Sequence, residues 1–186
     1  MEIAANLGHF LKALHAFPLN RARQMNMGEL DPIHYWRWFE TFLDKNRQKI
    51  FHYLSDRERA WVEAKYAAYI ELSQLSTFRV RVTHSDLRPV RIIVDAKSHA
   101  LNGVIDFSPR IADPANDFKC FDRYGEAFLR EAYAQYGEVD ETFDKRRGFY
   151  GAYLPVNNLW QAIESGDDER VEVQLHELSA HIVSQR

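Results

Sequence analysis

The first stretch of the chain carries apolar residues at the spacing of an amphipathic helix. The apolar positions are Ile3, Leu7, Phe10, Leu11 and Leu14. Residues three and four apart return to the same side of a helix, so these side chains form one apolar face. Pro18 cannot continue the helical hydrogen bonding, and we expect the helix to end before it.

Two more helices are predicted before the pattern changes. A polar connection from Asn20 to Glu29 leads to Asp31, which stands before Pro32 as an N-cap stands before a first-turn proline. Ser55 and Glu58 form a capping-box pattern and predict the start of the next helix. The apolar positions assigned to these two helices are Tyr35, Phe39, Phe42, Leu43 and Leu54, followed by Trp61, Ala64, Ala68 and Leu72.

Helical periodicity then gives way to alternation. Phe78, Val80 and Val82 alternate with charged residues, as in a half-buried strand. The runs Arg91–Val94 and Gly103–Asp106 are rich in β-branched residues and flank a polar turn around Lys97 to Asn102, which predicts a hairpin.

From Asp113 onward the pattern is helical again. Gly137 and Gly166 are placed to end helices. Asp167, Asp168 and Glu169 favour the start of a last helix, whose apolar face is Val171, Leu175, Leu178 and Ile182. The sequence therefore predicts a mainly helical α+β fold, in which a small β-hairpin insertion carries the candidate chemistry.

Composition narrows the functional classes. At 186 residues the chain has the length of one domain, and its net charge of −3 gives no reason to expect nucleic acid as a partner. The single cysteine, Cys120, excludes an internal disulfide and a cysteine-rich zinc site. No apolar run approaches the roughly 20 residues that span a bilayer, and the N-terminus shows no secretion signal. We therefore expect a cytoplasmic protein without membrane contacts.

Three acidic motifs follow the predicted strand in an order typical of phosphotransferases. They are His84-Ser85-Asp86, Asp106-Phe107-Ser108 and Asp113-Pro114. Phosphoryl transfer requires a group that accepts the proton of the attacking hydroxyl and groups that hold the phosphates. Asp86 suits the first task, Asp106 suits a magnesium ion, and Arg88 suits the transferred phosphate.

Each motif alone is weak, because an aspartate after a strand is commonly a turn residue. The order of strand, loop, hairpin and helix start is the stronger signal. We expect His84 to support the loop by hydrogen bonding, and Asp113 to cap a helix and brace the same loop.

These segments resemble the aminoglycoside phosphotransferases, a branch of the kinase-like fold. That family carries H-G-D-L-x-P-x-N-I-L-V-D, then V-I-D-F-G, then G-D-P-x-x-D. Here the corresponding stretches are HSDLRPVRIIVD (84–95), VIDFS (104–108) and ADPAND (112–117). The stretch Leu7 to His15 is similar to the first helix of the family's C-terminal lobe, and Tyr150 to Leu178 to its closing helices. The resemblance thus covers residues 1–186 as one C-terminal lobe.

The resemblance implies an ATP- and Mg²⁺-dependent transferase with an alcohol group as acceptor. It implies Asp86 as catalytic base, Asp106 as magnesium ligand and a small-molecule hydroxyl substrate. Acidic residues near the C-terminus could attract a cationic substrate, but the dipole of the last helix is the preferred explanation for them. They are Glu164, Asp167, Asp168 and Glu172.

Three departures from the family pattern leave alternatives open. Arg91 replaces the asparagine ligand, and Ser85 and Ser108 replace glycines. No G-x-G-x-x-G precedes His84, so we expect the nucleotide-covering N-terminal lobe to be absent. The alternatives are an active kinase completed by a nucleotide-binding lobe, a non-catalytic pseudoenzyme or binding module, and a homo-oligomerisation module.

Overall fold

The computed structural model describes residues 2–98 and 100–184. The helices are α1 (Glu2–His15), α2 (Leu19–Gln24), α3 (Tyr35–Lys49), α4 (Asp56–Leu75), α5 (Glu126–Tyr136), α6 (Phe143–Ser165) and α7 (Asp168–Ser184). The strands are β1 (Arg81–Thr83), β2 (Ile92–Val94), β3 (Leu101–Val104) and β4 (Arg110–Ala112). The chain divides into two compact units, residues 2–32 with 78–147 and residues 33–77 with 148–184.

The first unit contains two small antiparallel sheets. β1 pairs with β4, and Val82 lies opposite Ile111 in a buried cluster with Ala22. β2 pairs with β3, so the predicted hairpin is confirmed, although β2 begins one residue later and β3 lies two residues earlier than the sequence pattern indicated. The sequence prediction of a turn around Lys97 to Asn102 includes His99, which lies outside the described residues.

Helix α1 packs against α5 in the same unit. The predicted apolar face is confirmed, with Leu7 and Leu11 fully buried. Gly8 faces the backbone of Ala132, where a Cβ atom at position 8 would overlap the carbonyl oxygen. The two helices can therefore approach closely only because position 8 has no side chain.

The second unit is helical. Ser55 accepts the backbone N–H of Glu58, and the Glu58 carboxylate accepts the N–H of Ser55, so the predicted capping box is confirmed. Aromatic side chains dominate its core, including Tyr69 stacked on Phe149 with ring centroids 3.9 Å apart. Gly166 follows α6 with φ +67°, as predicted for a helix end.

Two local predictions before residue 50 are wrong. The connection from Asn20 to Glu29 contains helix α2. Residues 28–30 then run beside β4, where the Leu30 N–H donates to the Ile111 carbonyl and the Ile111 N–H donates to the Gly28 carbonyl. Asp31 is not an N-cap, since α3 begins at Tyr35 after His34. A turn separates Pro32 from the helix, so the Asp-Pro pair marks a turn and not a helix start.

Candidate active site

Asp86 lies on the loop that joins β1 to the hairpin. The residues around it are anchored, since Thr83 and His84 are buried and Leu87 is fully buried. The Asp86 side chain retains 29% exposure. Burial of its neighbours fixes the loop while leaving the carboxylate accessible to a solute.

The backbone of this loop passes through the left-handed region at Ser85. Its φ is +67°, a conformation that costs an L-residue roughly 1–2 kcal/mol. Ser108, the other serine at a family glycine position, is not among the described non-glycine residues with positive φ. Of the two substitutions, only that at position 85 introduces backbone strain.

Asp117 holds the strained loop in place. One carboxylate oxygen accepts the N–H of His84 at 2.7 Å, and the other accepts the N–H of Ser85 at 2.8 Å. In the next peptide group, the Ser85 carbonyl accepts from Asn116 Nδ2 at 3.2 Å and Lys119 Nζ at 3.3 Å. Ser85 is thus fixed through both its amide and its carbonyl.

Sequence reasoning assigned no role to Asp117, although the residue stands in the ADPAND segment. The available signal was its place in that segment, where it matches the last aspartate of the family pattern G-D-P-x-x-D. His15 from α1 completes the arrangement, with Nδ1 2.9 Å from the Tyr136 hydroxyl and Nε2 3.1 Å from Asp117 Oδ2. The loop is therefore tied to two helices through one buried carboxylate.

The electrostatics of Asp117 favour its charged form despite complete burial. Burial opposes ionisation, but His15, the charge of Lys119 and the N–H of His84 outweigh it and hold the carboxyl pKa below 3.8. Burial lowers the pKa of Lys119, an effect that Asp117 partly offsets. A buried carboxylate with this many donors is a stable anchor for backbone N–H groups.

His84 connects the loop to the Asp106 segment. Its Nδ1 accepts the N–H of Asp86 at 3.3 Å, so the ring proton lies on Nε2 and is donated to the Ile105 carbonyl at 2.9 Å. The ring stacks on Phe107 with centroids 4.4 Å apart. These contacts place His84 as a bridge between the two aspartate-bearing segments.

Asp113 is buried and caps the short turn that carries Asp117. Its Oδ1 accepts the N–H of Ala115 at 3.0 Å, and its Oδ2 accepts from Arg146 Nε at 2.8 Å. Arg146 also binds Asp140, whose carboxyl pKa is about 2; burial opposes this shift, and the hydrogen bonds from Arg146 and Thr142 outweigh it. Asp113 thus supports the loop indirectly, because it holds the turn that carries Asp117.

Two arginines occupy the acidic centre of the site. Arg88 binds Asp86 with Nε 2.8 Å from Oδ1 and Nη2 2.8 Å from Oδ2. Arg91 extends between the two aspartates, with Nη1 bonded to Asp106 and Nη2 3.4 Å from Asp86 Oδ2. The structure therefore brings together Asp86, Arg88, Arg91 and Asp106, all noted in the sequence.

The residues present do not fit a magnesium ion at Asp106. Mg²⁺ requires several oxygen ligands, and the part of the chain that the structure describes contains no group of three or more His, Cys, Asp or Glu side chains able to hold a metal ion. A guanidinium carries only donors and a permanent charge, so Arg91 cannot act as a ligand. It instead occupies the Asp106 carboxylate that the ion would use.

The acidic residues near the C-terminus lie in the second unit and are exposed. Glu164 forms an ion pair with Lys49, and Asp167 accepts the N–H of Arg170 at 3.0 Å at the start of α7. Asp168 lies in the first turn of the same helix. These contacts match the helix-start role, and they leave open the attraction of a cationic substrate.

Comparison with known protein families shows to which family the chain belongs. Residues 2–149 match the model of the phosphotransferase enzyme family, which covers most of the chain. The chain belongs to this family. No curated protein matches this chain in sequence. Among the residues that the structure describes, every helix is too short or too polar to cross a membrane.

Solved structures give the fold of the chain. It is similar to the GDP and kanamycin complex of APH(2")-IIia, with TM-score 0.87 and 22% identity, covering 100% of this chain and 63% of that one. For macrolide 2'-phosphotransferase type I the TM-score is 0.80 and the identity 22%, and the match covers 95% of this chain and 58% of that one. For the streptomycin-ATP-APH(2")-IIa ternary complex the TM-score is 0.65 and the identity 21%, and the match covers 96% of this chain and 61% of that one. The fold is therefore kinase-like, and the chain spans about three fifths of these structures.

Proposed function

We propose that the protein transfers a phosphoryl group from a nucleoside triphosphate to a hydroxyl of a small molecule of the aminoglycoside or macrolide class. The observation that carries the proposal is the state of Asp86. Its loop is clamped by Asp117 and Lys119, while its carboxylate stays partly exposed. Such positioning is the main contribution a protein makes to phosphoryl transfer.

The proposed step uses the chain's own residues as follows. The substrate hydroxyl oxygen forms a bond to the γ-phosphorus, the bond from that phosphorus to the bridging oxygen breaks, and the nucleoside diphosphate leaves. Asp86 takes the hydroxyl proton, and Arg88 donates to the transferred phosphate. Asp86 Oδ1 contacts only Arg88 in the site, whereas Oδ2 contacts both arginines. A carboxylate oxygen accepts two hydrogen bonds, so Oδ1 retains room for the substrate.

Nucleotide binding requires residues beyond the loop that carries Asp86. A G-x-G-x-x-G is missing ahead of His84, so we propose that a nucleotide-binding lobe associates with this unit. Two of the structures named above are complexes with GDP and with ATP, which supports a purine nucleotide as donor. A cytoplasmic location belongs to the same proposal, since the chain has a single, buried cysteine.

Product analysis tests the proposal. The purified protein is incubated with MgATP or MgGTP and with kanamycin, streptomycin or a macrolide, and phosphorylated product is measured by mass spectrometry. We expect Asp86→Asn to lower product formation about 100-fold or more, the usual weight of a general base. Asp95→Asn, an exposed turn aspartate, serves as the matched control and retains activity. Product formation that is indifferent to Asp86→Asn contradicts the proposal.

A second candidate function is non-catalytic binding. The specific observation in its favour is Arg91, which joins the two carboxylates that the family uses for catalysis. In this case the wild-type protein yields no phosphorylated product but still binds an antibiotic or a nucleotide. Calorimetric titration measures this directly, and absence of binding to every ligand in the panel eliminates this candidate.

A further inference from the structure

We propose that the Arg91 guanidinium takes the place of a divalent cation between Asp86 and Asp106. The wild-type site therefore excludes metal ions, and it binds one when position 91 carries a neutral residue. The ligand class concerned is a hard divalent cation held by carboxylate oxygens. The inference goes beyond the proposed function, because metal binding is measured without turnover. If the metal-binding inference fails, the proposed transfer reaction is unaffected, because product analysis tests that reaction separately.

The position of Arg91 follows from the hairpin. Ile92 lies opposite Val104, and the Ile105 N–H donates to the Arg91 carbonyl at 3.0 Å. Arg91 thus stands across from the residue that precedes Asp106. Because the backbone pairing fixes this register, it places the Arg91 side chain next to the Asp106 carboxylate.

The guanidinium joins two separate segments of the chain. Nη1 binds Asp106 and Nη2 lies 3.4 Å from Asp86, so one planar cation contacts both carboxylates. Asp106 turns toward this contact through a left-handed backbone, with φ +56°. A divalent ion that bridged the same two carboxylates would have to displace Arg91.

The net charge of the site also depends on Arg91. Asp86 and Asp106 carry two negative charges, and Arg88 and Arg91 carry two positive charges, so this cluster of four side chains is neutral. A neutral residue at position 91 leaves one net negative charge. Arginine cannot lose its proton at any pH a protein survives. In the wild-type cluster the fixed charge of Arg91 therefore cancels the attraction of the carboxylates for a divalent ion, and in the variant that attraction is restored.

Stability alone does not explain the arrangement. The side chains of Arg91 and Asp106 are 27% and 56% exposed, and ion pairs this exposed contribute little to folding. Replacement of Arg91 should therefore leave a folded protein whose ion-binding properties have changed. This makes the inference testable by substitution.

The experiment uses Mn²⁺ as the probe, with free ion followed by electron paramagnetic resonance in a titration of the whole chain. We expect Arg91→Asn to bind Mn²⁺ about tenfold or more tightly than the wild-type protein. The double variant R91N/D106N should lose this gain. Arg91→Lys, which keeps the positive charge, should bind no better than wild type. Circular dichroism verifies folding, and Arg91→Gln replaces Arg91→Asn if the latter does not fold.

Two results overturn the inference. One is a wild-type protein that binds Mn²⁺ as tightly as R91N and loses the ion on Asp106→Asn, which would place a metal beside Arg91. The other is a folded R91N or R91Q protein with no gain in Mn²⁺ affinity, which would show that the charge of Arg91 is not what excludes the ion.

Discussion

Asp117 binds the backbone of Ser85, a residue 32 positions earlier in the chain, through a hydrogen bond of 2.8 Å from the Ser85 N–H. Ser85 has positive φ, and Asp117 is fully buried. An unfavourable backbone conformation in the candidate active site is therefore held by a buried charge. Three of the following predictions concern this pair.

Asp117→Asn should destabilise the protein by about 2 kcal/mol at pH 7, because the amide leaves one of the two loop N–H donors without an acceptor. The measurement is urea unfolding followed by circular dichroism. Asp95→Asn is the control, since Asp95 Oδ1 also accepts backbone N–H groups, at 3.0 Å and 2.7 Å, but at an exposed turn. The control should lose much less stability, and equal losses would contradict a special role for burial.

The same variant should alter the pH dependence of folding. The pKa of Asp117 lies below 3.8 in the folded protein, so the unfolded chain binds more protons as pH falls through this range. The stabilisation is complete well above the pKa of an aspartate in the unfolded chain, and it is lost as pH falls through the lower folded pKa. The stability difference between wild type and Asp117→Asn should therefore shrink in acid. A difference that stays constant between pH 7 and acid would argue against this coupling.

Ser85→Gly should stabilise the protein by up to about 1 kcal/mol, because glycine adopts positive φ without steric cost. The gain is reduced by loss of the contact between Ser85 Oγ and Thr83 Oγ1 at 2.7 Å. Ser108→Gly is the matched control at the other family glycine position. There the backbone is not strained, so we expect a loss of about 0.5–1 kcal/mol. Both values come from urea midpoints, and opposite signs are the diagnostic result.

Gly8→Ala should destabilise the protein by about 1–3 kcal/mol, since its methyl group would overlap the Ala132 carbonyl and separate α1 from α5. Gly148 in α6 offers a matched control, because a Cβ atom there meets no atom within 4 Å. Gly148→Ala should stabilise by about 0.5–1 kcal/mol through helix propensity. Thermal unfolding of both variants tests the pair, and a neutral Gly8→Ala would show that the two helices can separate without loss.

Local signals in the sequence were sufficient for much of the fold. The capping box at Ser55 and Glu58, the helix end at Gly137 and the hairpin of β2 and β3 depend on neighbouring residues, and each is confirmed. The order of Asp86, Asp106 and Asp113 was likewise visible, because loop motifs keep their spacing along the chain. Where local chemistry was ambiguous, as at Asp31, the expected cap was wrong.

The sequence by itself determined the family relationship, the hairpin and the identity of the charged residues around Asp86. Only the tertiary structure decided that Asp117 clamps Ser85 and that Arg91 joins Asp86 to Asp106. The physical reason is the range of the interactions. Caps, turns and periodicity are set by residues a few positions apart, whereas these hydrogen bonds and ion pairs depend on the path of the chain between distant segments.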